Sequence, residues 1–274
     1  MDKAIERIAA AGFQAMDFNF CDWVFPESPF AGDGWEHWIE EIARASETHG
    51  IHFTQAHGPI FFKWEKDERC QRMTELSHRS LRAAGRLGIP WVVFEPETDR
   101  GAWDSAHLEQ LRRRNQEWFG PLLKTAEQTG TGLALENCTD LHARHRGISR
   151  WYGSVPAELI ALVDGFEHPR VGICWDTGHA HIQGLVQGQA LRALGPRLKA
   201  LHIQDNNGND DQHLAPHFGT VPWPEIMMAL RNIGYVGDFT YEIHNFIRPL
   251  PDALRDEALR LTVAIGRDLL GASS

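Results

Sequence analysis

Apolar residues along this chain recur at helical spacing in segments that stop on glycine, and a short β-prone run follows each stop. Ile5, Ile8 and Ala9 share one helical face, as do Trp35, Trp38, Ile39 and Ile42. Met73, Leu76, Ser80, Leu81 and Ala84 follow with similar spacing. The stops are Ala11-Gly12-Phe13, His49-Gly50-Ile51, Leu87-Gly88-Ile89, Thr129-Gly130-Thr131 and Ile233-Gly234-Tyr235, where glycine closes the last turn in a left-handed conformation. Further helices are predicted over Ala106–Gln128, Ala157–Val163, Leu185–Leu194, Pro224–Asn232 and Ala253–Leu270. Between them lie Phe13–Phe20, Ile51–Ala56, Trp91–Glu95, Thr131–Glu136, Val171–Asp176, Leu198–Gln204 and Phe239–Ile243. Most of these are continuous apolar runs, as expected of parallel strands covered on both faces. Strand and helix alternate with no linker or low-complexity segment, which predicts one domain over residues 1–274 and an α/β fold of (β/α)8 TIM-barrel type.

That fold needs eight strands, and the pattern supplies seven. The chain opens on a helix, so the first strand is expected to be absent from the chain as given. Truncation or an unusual seven-stranded closure would account for it, because an unpaired edge is costly. An incomplete rim also makes a homo-oligomer one expectation.

Composition removes several classes of function. With 27 Lys plus Arg against 37 Asp plus Glu the net charge is −10, a poor match to a polyanion, so no nucleic-acid partner is expected. No apolar run approaches the ~18 residues of a membrane span, and the charged N-terminus lacks a signal-peptide core. Cys21, Cys70, Cys138 and Cys174 form no C-x-x-C pair and read as reduced, mostly buried thiols of a cytoplasmic protein. The 15 histidines and 10 tryptophans are the surplus that asks for a reason.

In such barrels the C-terminal strand ends carry the chemistry. Leu133-Ala134-Leu135 ends in Glu136, Ile173-Cys174-Trp175 in Asp176, Lys199-Ala200-Leu201 leads to His202, and Phe239-Thr240-Tyr241 to Glu242. Any one of these suits an ion pair, a cap or a core hydrogen bond. Together they place three carboxylates on one rim, where like charges raise one another's pKa unless a divalent cation intervenes. A second tier comprises His57, Glu95, His179, Asp211 and His213, candidates for a substrate wall or an additional metal.

Glu136-Asn137, the run Val171–Ala180 and Leu201-His202-Ile203-Gln204-Asp205-Asn206 resemble the xylose-isomerase-like barrel superfamily, the sugar phosphate isomerases and epimerases that also include endonuclease IV. The resemblance runs from Met1 to the last helix. It implies one divalent ion held by Glu136, Asp176, His202 and Glu242, with Glu136 and Glu242 doubling as the acid–base pair of ketose 3-epimerases. It also implies a first strand ahead of the opening helix. Two features depart from the family. Glu95 stands where endonuclease IV uses a histidine, and Pro216-His217-Phe218-Gly219 replaces the usual Gly-x-Gly.

Three oxygen donors and one nitrogen suit Mn²⁺, Co²⁺ or Mg²⁺, and also Zn²⁺. The expected chemistry is isomerisation or epimerisation of a sugar, sugar phosphate or inosose through a metal-stabilised enediolate. His179 would steady a substrate hydroxyl, and Trp23, Phe25, Phe61, Trp64 and Trp151 are candidates for an aromatic wall or for helix packing. The alternatives are an endonuclease IV-like phosphodiesterase, a lyase using the same enediolate and a non-catalytic sugar-binding barrel. The phosphodiesterase would draw on Arg112-Arg113-Arg114 and on Arg144-His145-Arg146 with Arg150.

Overall fold

The structure, a computed structural model, describes residues 1–60, 63, 65–101, 104–140, 144, 146 and 148–271. Helix α1 (Asp2–Ala11) leads into β1 (Ala15–Asn19), followed by α2 (Trp35–His49), β2 (His52–His57), α3 (Glu68–Arg86) and β3 (Trp91–Phe94). Then come α4 (Ser105–Thr129), β4 (Gly132–Glu136), α5 (Pro156–Asp164) and β5 (Val171–Asp176). Helices α6 (Thr177–Ile182) and α7 (Gln187–Leu194) precede β6 (Leu198–His202). Last are α8 (Trp223–Asn232), α9 (His244–Ile247) and α10 (Asp252–Leu270). A small antiparallel ribbon pairs Arg100–Gly101 with Arg150–Trp151.

The glycine stops behave as the pattern predicts. Gly12, Gly50, Gly88, Gly130 and Gly234 all take positive φ, between 65° and 102°, a region that a Cβ disfavours. Each amphipathic helix then turns its apolar face inward: α2 buries Trp38, Ile39 and Ile42, and α3 buries Leu76, Leu81 and Ala84. These pack on the outer faces of the strands in one continuous core that includes Phe18, Val92, Leu133, Leu135, Ile173, Trp175 and Leu201. Strands β1 to β6 form one parallel sheet in chain order, curled as a half-barrel.

The seventh expected strand is different. Phe239–Ile243 makes a single parallel bridge, Tyr241 beside Ile203. Ile203 N–H donates to Thr240 O (2.8 Å) and Glu242 N–H to Ile203 O (3.0 Å). Among the described residues no backbone hydrogen bond joins this segment to β1. A cavity of about 230 Å³, lined by Phe13, Met16, Asp17, Phe239, Tyr241 and Glu242, lies between them. With a neighbour on one side only, nothing extends the segment into a ladder. The described residues therefore form an open, curled half-barrel sheet with a tethered seventh segment, and among them no closed eight-stranded barrel is seen.

Among the described residues no helix is long and apolar enough to cross a membrane. All four cysteines are free; Cys138 and Cys174 are buried, while Cys21 and Cys70 are partly exposed.

Candidate metal centre

The pleat of the strands does the positioning. Successive side chains alternate between faces, and Val93, Ala134, Cys174 and Ala200 form a small apolar layer on the concave face. Two residues further along each strand, on that same face, come Glu95, Glu136, Asp176 and His202. The ladder keeps them in step, with Glu136 beside Cys174 and Asp176 beside His202. On the other flank His57 and Gln55 of β2 stand beside Asn19 and Asp17 of β1. Glu242 comes from the tethered segment, and Asp211 and His213 from the loop after β6.

All nine residues singled out from the sequence meet at this one rim. Glu136 Oε1 lies 3.0 Å from His202 Nδ1, which is 3.5 Å from Glu242 Oε2. His57 Nε2 lies 3.3 Å from Glu136 Oε2 and 3.6 Å from Glu95 Oε1. His179 Nδ1 is 3.5 Å from Glu136 Oε1, and its Nε2 is 3.5 Å from Asp211 Oδ2. His213 Nε2 bonds Asp211 Oδ2 at 3.0 Å, and its Nδ1 lies 3.7 Å from Glu242 Oε2.

Neighbours fix the orientation of each group. Asp176 caps α6 by accepting from His179 N–H (2.6 Å), while Asp176 N–H donates to Asn137 Oδ1 (2.7 Å). Gln204 Nε2 donates to Asp211 Oδ1 at 2.7 Å. Gly178 lies against the Gln204 amide so closely that a Cβ would stand 2.1 Å from it. The loop bearing Asp211 and His213 is organised from below by buried Asp205. Its carboxylate accepts from the backbone N–H groups of Asn206, His217 and Val221 and from Trp223 Nε1, each at 2.9 Å.

Burial and mutual charge set the electrostatics. Burial opposes ionisation of Glu136, yet His202, His57 and His179 outweigh it and hold that carboxyl well below the usual range. Burial raises Asp176, partly offset by His179, and pushes Glu242 up to about 7. The imidazoles show the converse. Burial works against protonation of His57, His179 and His202, but Glu95 and Cys21 at the first, Asp176 and Asp211 at the second, and Cys174 and Glu136 at the third lift them well above the ordinary value. His213 is lifted to about 9 against its burial, chiefly by the Asp211 hydrogen bond.

A divalent ion fits this donor set. Glu136, Asp176, His202 and Glu242 each offer one donor atom, and these atoms lie within 4.8 Å of one another. Among the described residues buried Glu136 Oε2 makes no hydrogen bond, with His57 Nε2 at ion-pair distance beside it, so a lone pair stays open to a cation. His179, Asp211 and His213 form a second such group at the same spacing.

The arginines weighed as phosphate contacts are engaged elsewhere. Arg112 and Arg113 pair with Glu109 at 2.7 Å, Arg114 pairs with Glu97 and Arg150 with Glu158. Arg146 donates to the carbonyls of Ile182 (3.0 Å) and Gly208 (3.1 Å). Of the aromatic candidates, Trp23 packs on Trp38 with ring centroids 4.9 Å apart, Phe25 is exposed beside it and Trp151 belongs to the ribbon. Phe61, Trp64 and His145 lie outside the described residues.

Sequence reasoning passed over Asp17, Gln55, Gln204 and His244. His244 packs against His213 with ring centroids 4.2 Å apart. For Asp17 and Gln55 the signal was weak: each is a polar residue on a short strand that carries other polar residues, Asn19 in β1 and His52, Thr54 and His57 in β2.

Comparison with known proteins agrees with this architecture. An uncharacterised protein of Methanocaldococcus jannaschii is 28% identical over 65% of this chain, and the match spans only 59% of that relative's length. A D-psicose 3-epimerase of Ruminiclostridium cellulolyticum is 25% identical over 87% of this chain and 76% of its own. Among solved structures, that of the IOLI protein with a bound zinc atom superposes with a TM-score of 0.76 at 18% identity, covering 98% of this chain and 92% of that one. The family model described as xylose isomerase-like TIM barrel matches residues 5–262, and the chain belongs to that family.

Proposed function

We propose that this protein is a divalent-metal-dependent sugar isomerase or epimerase that moves a proton at a carbon next to a carbonyl. One observation carries the reading: Glu136, Asp176, His202 and Glu242 converge with donor atoms within 4.8 Å of one another at the C-terminal strand ends. Glu136, Asp176, His202 and Glu242 would hold a divalent ion, which would supply Lewis acidity toward a carbonyl and its neighbouring hydroxyl. Glu136 and Glu242 approach from β4 and from the tethered segment, from different directions. One removes the proton α to the carbonyl through its free oxygen, and the other returns a proton to the opposite face or to the adjacent carbon of the enediolate. Burial raises Glu242 to about 7 in the metal-free centre, and a bound cation would bring it down again. His179 and His213, tied to Asp211, face the same space and orient hydroxyls of the substrate. Kinship with a D-psicose 3-epimerase and likeness to a zinc-bound barrel support the reading. The phosphodiesterase alternative loses support because Arg112, Arg113, Arg114 and Arg150 each pair with a glutamate of this chain.

The test is solvent exchange. Protein loaded with Mn²⁺, Co²⁺, Mg²⁺ or Zn²⁺ is incubated in deuterated water with ketoses, inososes and their phosphates, and carbon-bound deuterium is read by NMR. Incorporation next to the carbonyl of at least one compound is the expected result. No incorporation from any of them, together with cleavage of an abasic-site duplex, would replace this reading with the hydrolase.

A further inference from the structure

The four rim histidines are not held alike. In His57, His179 and His213 one ring nitrogen is tied to a main-chain carbonyl: Nδ1 of each meets Gly58 O (2.9 Å), Asn137 O (2.9 Å) and Glu242 O (3.1 Å) respectively. His202 is the exception. Its Nδ1 faces Glu136 and Glu242, while its Nε2, buried and without a hydrogen bond among the described residues, lies at ion-pair distance, 3.3 Å, from the carboxylate Oδ2 of Asp17 on β1. That carboxylate is itself held. Gln55 Nε2 donates to Asp17 Oδ2 at 2.8 Å and to Leu201 O at 3.1 Å, while Leu201 N–H reaches Gln55 Oε1 at 3.4 Å. A residue of β2 thus spans the interior from β1 to the strand that carries His202. Gln55 is buried, and Asp17 keeps only 12% of its side chain exposed.

We propose that Asp17, clamped by Gln55, is the positioning residue that keeps the Nε2 proton on His202 and thereby aims its Nδ1 lone pair at the metal. The inference rests on the metal reading above. An imidazole presents a lone pair at one nitrogen only when the other carries the proton, and the acceptor at that second nitrogen decides which is which. A carboxylate acceptor does this more strongly than a carbonyl, because its hydrogen bond is charge-assisted, and it makes the ring a better donor to a cation. The arrangement also gives a role to Asp17 and Gln55, which face each other in the register of β1 on β2. Asp17 does not itself belong to the group of donors that converge on one point.

The test uses full-length protein labelled with ¹⁵N-histidine, as wild type and as Asp17→Asn, Asp17→Ala and Asp17→Glu. Proton–nitrogen NMR is recorded with and without Zn²⁺, and the His202→Gln variant assigns the ring. Affinity for Mn²⁺ is followed by the free-ion paramagnetic signal, and Co²⁺-loaded protein by its visible absorption. Wild type should show a slowly exchanging, low-field Nε2 proton on His202, which Asp17→Asn and Asp17→Ala lose. Those two variants should bind Mn²⁺ roughly 10–100-fold more weakly and show a changed Co²⁺ spectrum, with partial recovery in Asp17→Glu. The proposal is overturned by a wild-type His202 that, loaded with Zn²⁺, carries its proton on Nδ1 and none on Nε2, or by variants with unaltered Mn²⁺ affinity and Co²⁺ spectrum. Should wild type take up none of the metals, the metal reading fails. The His202 proton resonance, present in wild type and lost or retained in Asp17→Asn, then still decides the Asp17 assignment. Because wild type alone reports which nitrogen is protonated, a variant that does not fold leaves that arm intact.

Discussion

Glu136 and His202 reach each other across an intervening strand, Oε1 to Nδ1 at 3.0 Å, and both are buried. On its other side Glu136 meets His57, whose ring lies nearly parallel to that of His202 at 5.4 Å. One anion therefore neutralises two imidazoles that would otherwise confront each other in the interior. Glu136→Ala removes it and leaves buried charge uncompensated, at a cost of about 3–5 kcal/mol in the metal-free protein. Urea denaturation in the presence of chelator measures this, and a loss below about 1 kcal/mol would show that the histidines are neutral there.

Glu242 is assigned proton transfer, and Glu242→Gln keeps its shape while removing its basicity. Proton exchange at substrate carbon should fall by about 10²–10⁴-fold. Full exchange in this variant, read by the same deuterium assay, would mean that another group is the base.

Metal uptake should carry a pH signature with a definite sign. Glu242 is raised to about 7 and His202 well above the ordinary imidazole value, so the metal-free centre holds protons at neutral pH. A cation must displace them. Affinity should therefore rise with pH through about 7, up to about tenfold per unit for each proton released, and fall on acidification. Calorimetric titrations in buffers of different ionisation enthalpy count the protons, and zero release would contradict the raised values.

Asp205 contributes no donor to the ion yet accepts four hydrogen bonds that shape the loop carrying Asp211 and His213. Asp205→Ala strands buried donors on Val221 and Trp223, and stability should drop by about 3–5 kcal/mol. Thermal or denaturant unfolding checks the loss. A variant as stable as wild type would show that the loop closes without that carboxylate.

Much of this was legible from spacing. Glycine stops and apolar periodicity locate the helices to within a residue or two; Ala157–Val163, for example, becomes Pro156–Asp164. The strand-end residues follow from the barrel rule, and the pleat explains why Glu136, Asp176 and His202 share a face with Ala134, Cys174 and Ala200. What stayed hidden was whatever depends on distant pairing. Phe239–Ile243 has the composition of a strand, but strand formation needs partners, and among the described residues only Ile203 bridges to it. Asp17 and Gln55 lie 38 residues apart in sequence, and only the register of β1 on β2 brings them together. Helix α6 was passed over because its six residues are too few to show a period, and Asp176 starts it through a cap.

The tethered segment gives the four donors unequal footing. Glu136, Asp176 and His202 end strands that are laddered into the sheet, whereas Glu242 rests on one bridge beside a cavity. Local opening is easiest where backbone bonds are fewest, so amide exchange should be faster at Thr240 and Glu242 than along β4 to β6. Of the four candidate donors Glu242 therefore stands on the backbone with the fewest ladder bonds, and its carboxylate is the one whose position should respond most readily when an ion or substrate enters.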